Sequence, residues 1–62
     1  MEPLLWTFEQ IAGFVTHPDK PVRRWAQDRL LTLFPERAPE VLAAQLDDAD
    51  FYLALRAADA IG

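Results

Sequence analysis

Few residues in this chain can do chemistry, and their types settle much of the question. There is no serine, asparagine or cysteine, and His17 is the single histidine. Neither a Ser-His-Asp nor a Cys-His constellation can be assembled from that set, so nucleophilic catalysis is excluded. Carboxylates remain. Asp47, Asp48 and Asp50 sit together, and folding could bring His17 and Asp19 beside Asp48 and Asp50. Those donors suit a hard cation or a weak transition-metal site. They equally suit capping of helix starts and compensation of helix dipoles. Capping is the plainer use, and we expect no metal, no cofactor and no catalytic residue.

The cations and aromatics pose the same choice between contact and packing. Six basic against ten acidic residues give a net charge of −4 and a pI near 4.6, opposite to the footprint of a nucleic-acid or anionic-membrane binder. Neither partner is expected. The charge is uneven: residues 1–31 carry four acids and four bases, residues 32–62 six acids and two bases. Arg23, Arg24 and Arg29, with Lys20 nearby, make the first half locally basic. Arg24 could meet an anion or an acidic peptide, or it could pair with Asp28 four residues on along a solvated helix face. Phe8, Trp25 and Phe34 read as core. Trp6 falls about 160° from Phe8 on a helix of 100° per residue, hence outward, with Gly13 on its side and Phe14 at its flank. Leu31, opposite Leu33, is a second outward apolar residue. Exposed aromatics are enriched at interface hot spots.

The elements that must position these groups follow from the prolines. Positions 3, 18, 21, 35 and 39 are proline, tolerated in a first helical turn and not in a helix interior. The spacing predicts a first helix from Pro3 to Thr16 with Leu4, Phe8, Ile11, Ala12 and Val15 on one face and Gly13 slightly weakening it. It predicts a second from Lys20 to Phe34, inward through Val22, Ala26, Leu30 and Leu33, with Asp19 as its cap. A third should start at Pro39 and end near Leu46 or Asp47, inward through Leu42, Ala43 and Leu46. Asp50 should cap a fourth from Phe51 to Ile61, with Gly62 at its end. Connections of about four residues force neighbours antiparallel, so four helices make two hairpins. The 62 residues, 52 % hydrophobic and 26 % charged, allow one small all-α domain over 1–62. With no cysteine, no basic leader and no membrane span, the cytosol is the expected compartment.

Sliding the chain against itself by 31 positions aligns Glu9 with Glu40, Ala12 with Ala43, Asp19 with Asp50, Ala26 with Ala57 and Asp28 with Asp59. Ile11 with Leu42, Val15 with Leu46, Val22 with Leu53 and Leu30 with Ile61 are conservative matches at positions assigned to the core. A duplicated helical hairpin explains this order of helix, acidic turn and helix.

The segment from His17-Pro18-Asp19-Lys20-Pro21-Val22-Arg23 to Asp28-Arg29-Leu30 resembles the turn and second helix of a HEAT repeat, and Asp48-Ala49-Asp50-Phe51-Tyr52-Leu53 to Ala60-Ile61-Gly62 resembles the same unit again. The resemblance covers nearly the whole chain, as repeats at about 3–34 and 38–62. The spacing is similar to that of short bacterial HEAT-like repeats, as in bilin lyases, and lies below the usual length of about 40–47 residues. The second copy departs from the pattern, with Ala54 where the family has arginine. The resemblance implies an α-α superhelix and a ladder between repeats. Asp19 and Arg23 would contribute to that ladder, while Asp50 lacks its partner unless Arg56 reaches it.

Such repeats cover one another's apolar faces, and at least three are usual. The second copy carries Phe51, Tyr52, Leu53, Leu55 and Ile61 with nothing after Gly62 to cover them. The chain therefore reads as part of a longer solenoid, or as one that buries this face by homo-oligomerising. The function expected is a non-catalytic scaffold that binds protein through Trp6, Arg24, Leu31, Phe51, Tyr52 and Leu55. Two other readings stand beside it. One is the N-terminal part of a HEAT-like lyase or similar enzyme whose chemistry lies beyond this chain. The other is a small acidic regulator that occupies a basic site on another protein.

Overall fold

Prolines and short polar side chains decide where each helix begins. The computed structural model describes residues 6–62, which contain helices and turns and no strand. In α1, Phe8–Ala12, Thr7 and Gln10 form a reciprocal capping box: Gln10 N–H donates to Thr7 Oγ1 at 3.1 Å and Thr7 N–H to Gln10 Oε1 at 2.9 Å. The helix is therefore much shorter than the predicted Pro3–Thr16. Trp6 and Thr7 precede it, and from Gly13 to Thr16 the chain continues as tight turns, with Phe14 and Val15 donating three residues back. The predicted inward Leu4 lies outside the described residues.

The second helix, α2, spans Lys20–Leu33 with Pro21 in its first turn, where a missing N–H costs nothing. Asp19 occupies the cap position but its carboxylate makes no cap bond. Instead its N–H donates to His17 Nδ1 at 3.0 Å. Phe34, ahead of Pro35, leaves the helix at φ −133°, ψ 56°, as a residue preceding proline must. Then α3 spans Ala38–Leu42 with Pro39 in its first turn. It tightens into a 3₁₀ turn, Ala43–Gln45, rather than running on as α-helix to Leu46 or Asp47. The last helix, α4, spans Phe51–Ile61 as predicted. Asp50 caps it by accepting from Leu53 N–H, and Gly62 closes it at φ 85°, a conformation glycine adopts freely.

The core is built from Phe8, Ile11 and Val15 of the first segment, Ala26 and Leu30 of α2, Ala38 and Leu42 of α3, and Ala57 of α4. Leu53 is fully buried as well. In packing terms α1 lies on α2, α3 and the 3₁₀ turn lie on α4, and α2 meets both α3 and α4. Burying each of these large side chains contributes about 1.5–3 kcal/mol.

Two apolar faces are turned relative to the sequence reading, and for one reason. Gln27 and Gln45 are buried as completely as any leucine. On α2 the buried set is Ala26, Gln27 and Leu30, with Arg23 largely covered. That rotates the inward face by about 60° from the line of Val22, Ala26, Leu30 and Leu33. Leu33 is consequently 51 % exposed, while Leu31, expected outward, is half-buried against the core. On α3 the buried stripe is Ala38, Leu42 and Gln45. Ala43 and Leu46, expected inward, are exposed.

Candidate functional site

Contacts between α2 and α4 rise in step along both helices. Lys20 Nζ reaches Asp50 Oδ1 at 3.2 Å, and the Arg24 guanidinium lies 5.1 Å from the Tyr52 ring centroid. Gln27 Nε2 donates to Leu53 O at 3.0 Å, and Arg56 Nη1 donates to Asp28 Oδ1 at 2.8 Å. Leu31 shares a groove with Arg56, Asp59 and Ala60. The two helices thus lie side by side and run in the same direction, and their shared surface is edged by charge and ringed around Tyr52. Arg56 is also within cation–π range of that ring, at 5.5 Å. Burial disfavours the charged form of Arg56, but the bond to Asp28, the Asp28 charge and the Tyr52 contact outweigh it and raise its pKa.

At the N-terminal end of this surface, Lys20, Arg24, Asp50, Tyr52 and Leu53 line a shallow groove. The Leu53 N–H bond, followed by that from Lys20, holds the Asp50 carboxyl below the ordinary aspartate pKa. Asp50 is accordingly ionised at neutral pH, as both its cap and its Lys20 bond require.

Of the carboxylates considered for a metal, Asp48 and Asp50 are engaged otherwise. Arg23 donates through Nε to Asp48 Oδ2 at 2.8 Å and through Nη2 to Asp48 Oδ1 at 3.1 Å, a two-pronged pair. Its Nη1 donates to the carbonyls of His17 and Pro18, each at 3.0 Å. Asp48 Oδ1 also accepts from Asp50 N–H at 2.8 Å. One guanidinium thereby ties the turn before α2 to the turn before α4. Among the described residues no three His, Asp or Glu side chains gather as a metal site. Of the ladder expected from the repeat resemblance, Arg23 reaches Asp48, Asp19 forms no ion pair among the described residues, Lys20 rather than Arg56 supplies Asp50, and Arg56 takes Asp28, the carboxylate that helical spacing also offers to Arg24.

A second buried network escaped the sequence reading. Gln27 Nε2 donates to Gln45 Oε1 at 2.9 Å as well as to Leu53 O, and Gln45 Nε2 donates to Val15 O at 3.0 Å. Gln27 Oε1 is left without a donor. One signal could have found Gln45: it continues the four- and three-residue spacing of Ala38 and Leu42. Nothing in the sequence marks Gln27.

Of the six residues expected to bind protein, four gather on or beside α4. Phe51 is 77 % and Leu55 54 % exposed. Both point away from the side that buries Leu53 and Ala57, with exposed Ala58 continuing their stripe. Tyr52 and Arg24 adjoin it. Leu53, expected on this open face, is buried. Leu31 contributes the wall of the C-terminal groove rather than an outward contact. Trp6 stands apart. It is not on the helix that was to orient it; it meets Phe14 at 5.9 Å and Trp25 at 5.3 Å, edge to face, in an aromatic trio, while remaining 47 % exposed.

No protein-family model, curated protein or solved structure matches this chain. Among the described residues no helix is long and apolar enough to cross a membrane.

Proposed function

We propose that this chain is a HEAT-like repeat segment of two helical hairpins, a non-catalytic cytosolic scaffold that binds protein through the outward face of α4. The single observation that carries the docking role is the apolar stripe of Phe51, Leu55 and Ala58, uncovered on a helix whose other side is fully packed. Contiguous exposed apolar patches mark interaction sites. The repeat reading draws support from the spacing of long-range contacts. Lys20–Asp50 and Val15–Gln45 are 30 residues apart and Asp28–Arg56 is 28 apart, close to the 31-residue offset of the duplicated pattern. Contacts near that spacing are what stacked copies of one hairpin would make. The non-catalytic reading rests on the residue types, which offer neither a serine nor a cysteine to pair with the single histidine.

A photo-crosslinking residue at position 55, introduced into the full chain in cells, tests the docking role. Protein adducts are expected from position 55 and not from exposed Glu36, on the turn after α2. Absence of adducts at 55, or equal yields at both positions, overturns it.

A further inference from the structure

We infer that the occupant of the α4 face is a second copy of this chain, paired helix to helix about a twofold axis. This rests on the docking role proposed above and names its partner. Charge selects this partner. Around α4, at about 100° per residue, Phe51, Leu55 and Ala58 form the outward stripe. Tyr52 and Asp59 lie together on the flank facing α2. Because α2 runs alongside α4 in the same direction, Arg24 stands over Tyr52 at the start of that flank and Asp59 stands at its end, beside Leu31. Both charges are exposed. Among the described residues, Lys20, Arg23 and Arg56 have carboxylate partners, whereas Arg24 and Asp59 have none.

An antiparallel α4–α4 pair with its twofold axis between Leu55 and Arg56 sets Tyr52 of one copy level with Asp59 of the other, on the same side of the interface. Arg24 of each copy then meets Asp59 of the other, twice by symmetry, while Phe51, Leu55 and Ala58 close the middle. A uniformly acidic partner would meet Arg24 but be repelled by Asp59 and Asp50. A uniformly basic one would be repelled by Arg24. A partner with the charges in reversed order along the helix is matched at both ends, and this chain turned end for end is such a partner.

Sedimentation equilibrium of the full chain tests the pairing with two variants, Arg24→Glu and Asp59→Lys, both at exposed positions that leave the core intact. The native chain should dimerise, and each variant alone should dissociate about tenfold more readily, because a reversal acts twice in a symmetric pair. Mixing the two variants should restore affinity to within about threefold of native. In the mixed pair one of the two contacts is the native Arg24–Asp59 and the other has both of its charges reversed, so opposite signs meet at each, an outcome only an intermolecular contact can produce. A native chain that stays monomeric up to about 1 mM, reversals without effect, or a mixture no tighter than its components each overturns the inference. The crosslink at position 55 separates the two readings. Adducts to a different protein from a monomeric chain leave the docking role standing and remove the self-pairing; adducts to nothing remove both.

Discussion

Each of the three glutamines in this chain bonds backbone or another glutamine, Gln10 at the surface and Gln27 and Gln45 in the core. Gln10 closes the box at the start of α1, Gln45 supplies the carbonyl of Val15, and Gln27 joins Gln45 to the carbonyl of Leu53. The buried pair is unequal. Gln45 uses both ends of its amide, while Gln27 leaves Oε1 unserved, a desolvation cost the fold carries already. Gln27→Leu removes that cost but strands Gln45 Oε1, and should lower unfolding free energy by about 1–2 kcal/mol. Gln45→Leu, which strands Val15 O, should cost about 1–3 kcal/mol. The double variant should cost less than the sum, since neither amide is then left facing an apolar group. Urea unfolding of the four proteins measures the difference, and strict additivity would deny the coupling.

At the level of helices, the starts of α2, α3 and α4 were legible, while the start of α1 and the inward direction of α2 and α3 were not. Pro21 and Pro39 start helices where expected, and Asp50 caps as expected, because local rules act there within one turn. The direction in which α2 and α3 face depends instead on which polar residues find partners across the core, and apolar periodicity cannot register a buried glutamine. Leu31 and Leu33 isolate that failure. The hydrophobic pattern alone makes Leu33 the sensitive position; the structure reverses them. Leu33→Glu should change stability by no more than about 0.5 kcal/mol, and Leu31→Glu should cost about 2 kcal/mol, as read by thermal melts of the two variants. The α4 stripe was legible because nothing competes for it: Phe51 and Leu55 are apolar, and the inward side of that helix is fully supplied by Leu53 and Ala57. The length of α1 was not, because its capping box stops the helix behind Thr7 despite the apolar residues preceding it.

Across the molecule, the two acidic turns are joined through Arg23, whose side chain is 15 % exposed against 5 % for Asp48. A pair so covered costs most when only one member is removed. Arg23→Met should lose about 3 kcal/mol, a large share of the roughly 3–9 kcal/mol expected for a domain of this size. Arg23→Lys, which keeps charge but cannot span both carboxylate oxygens and both carbonyls, should fall between. Differential scanning calorimetry resolves the order, and equal losses for Met and Lys would show that the forked geometry matters there and charge does not. The aromatic trio has a different use. Its two indoles, those of Trp6 and Trp25, sit 5.3 Å apart at 74°, near enough for their excited states to mix, while the chain's one phenol, Tyr52, belongs to α4. The folded protein thus carries a built-in optical reporter: an ultraviolet dichroism couplet from the indoles follows the packing of Trp6 on Trp25, without any added dye.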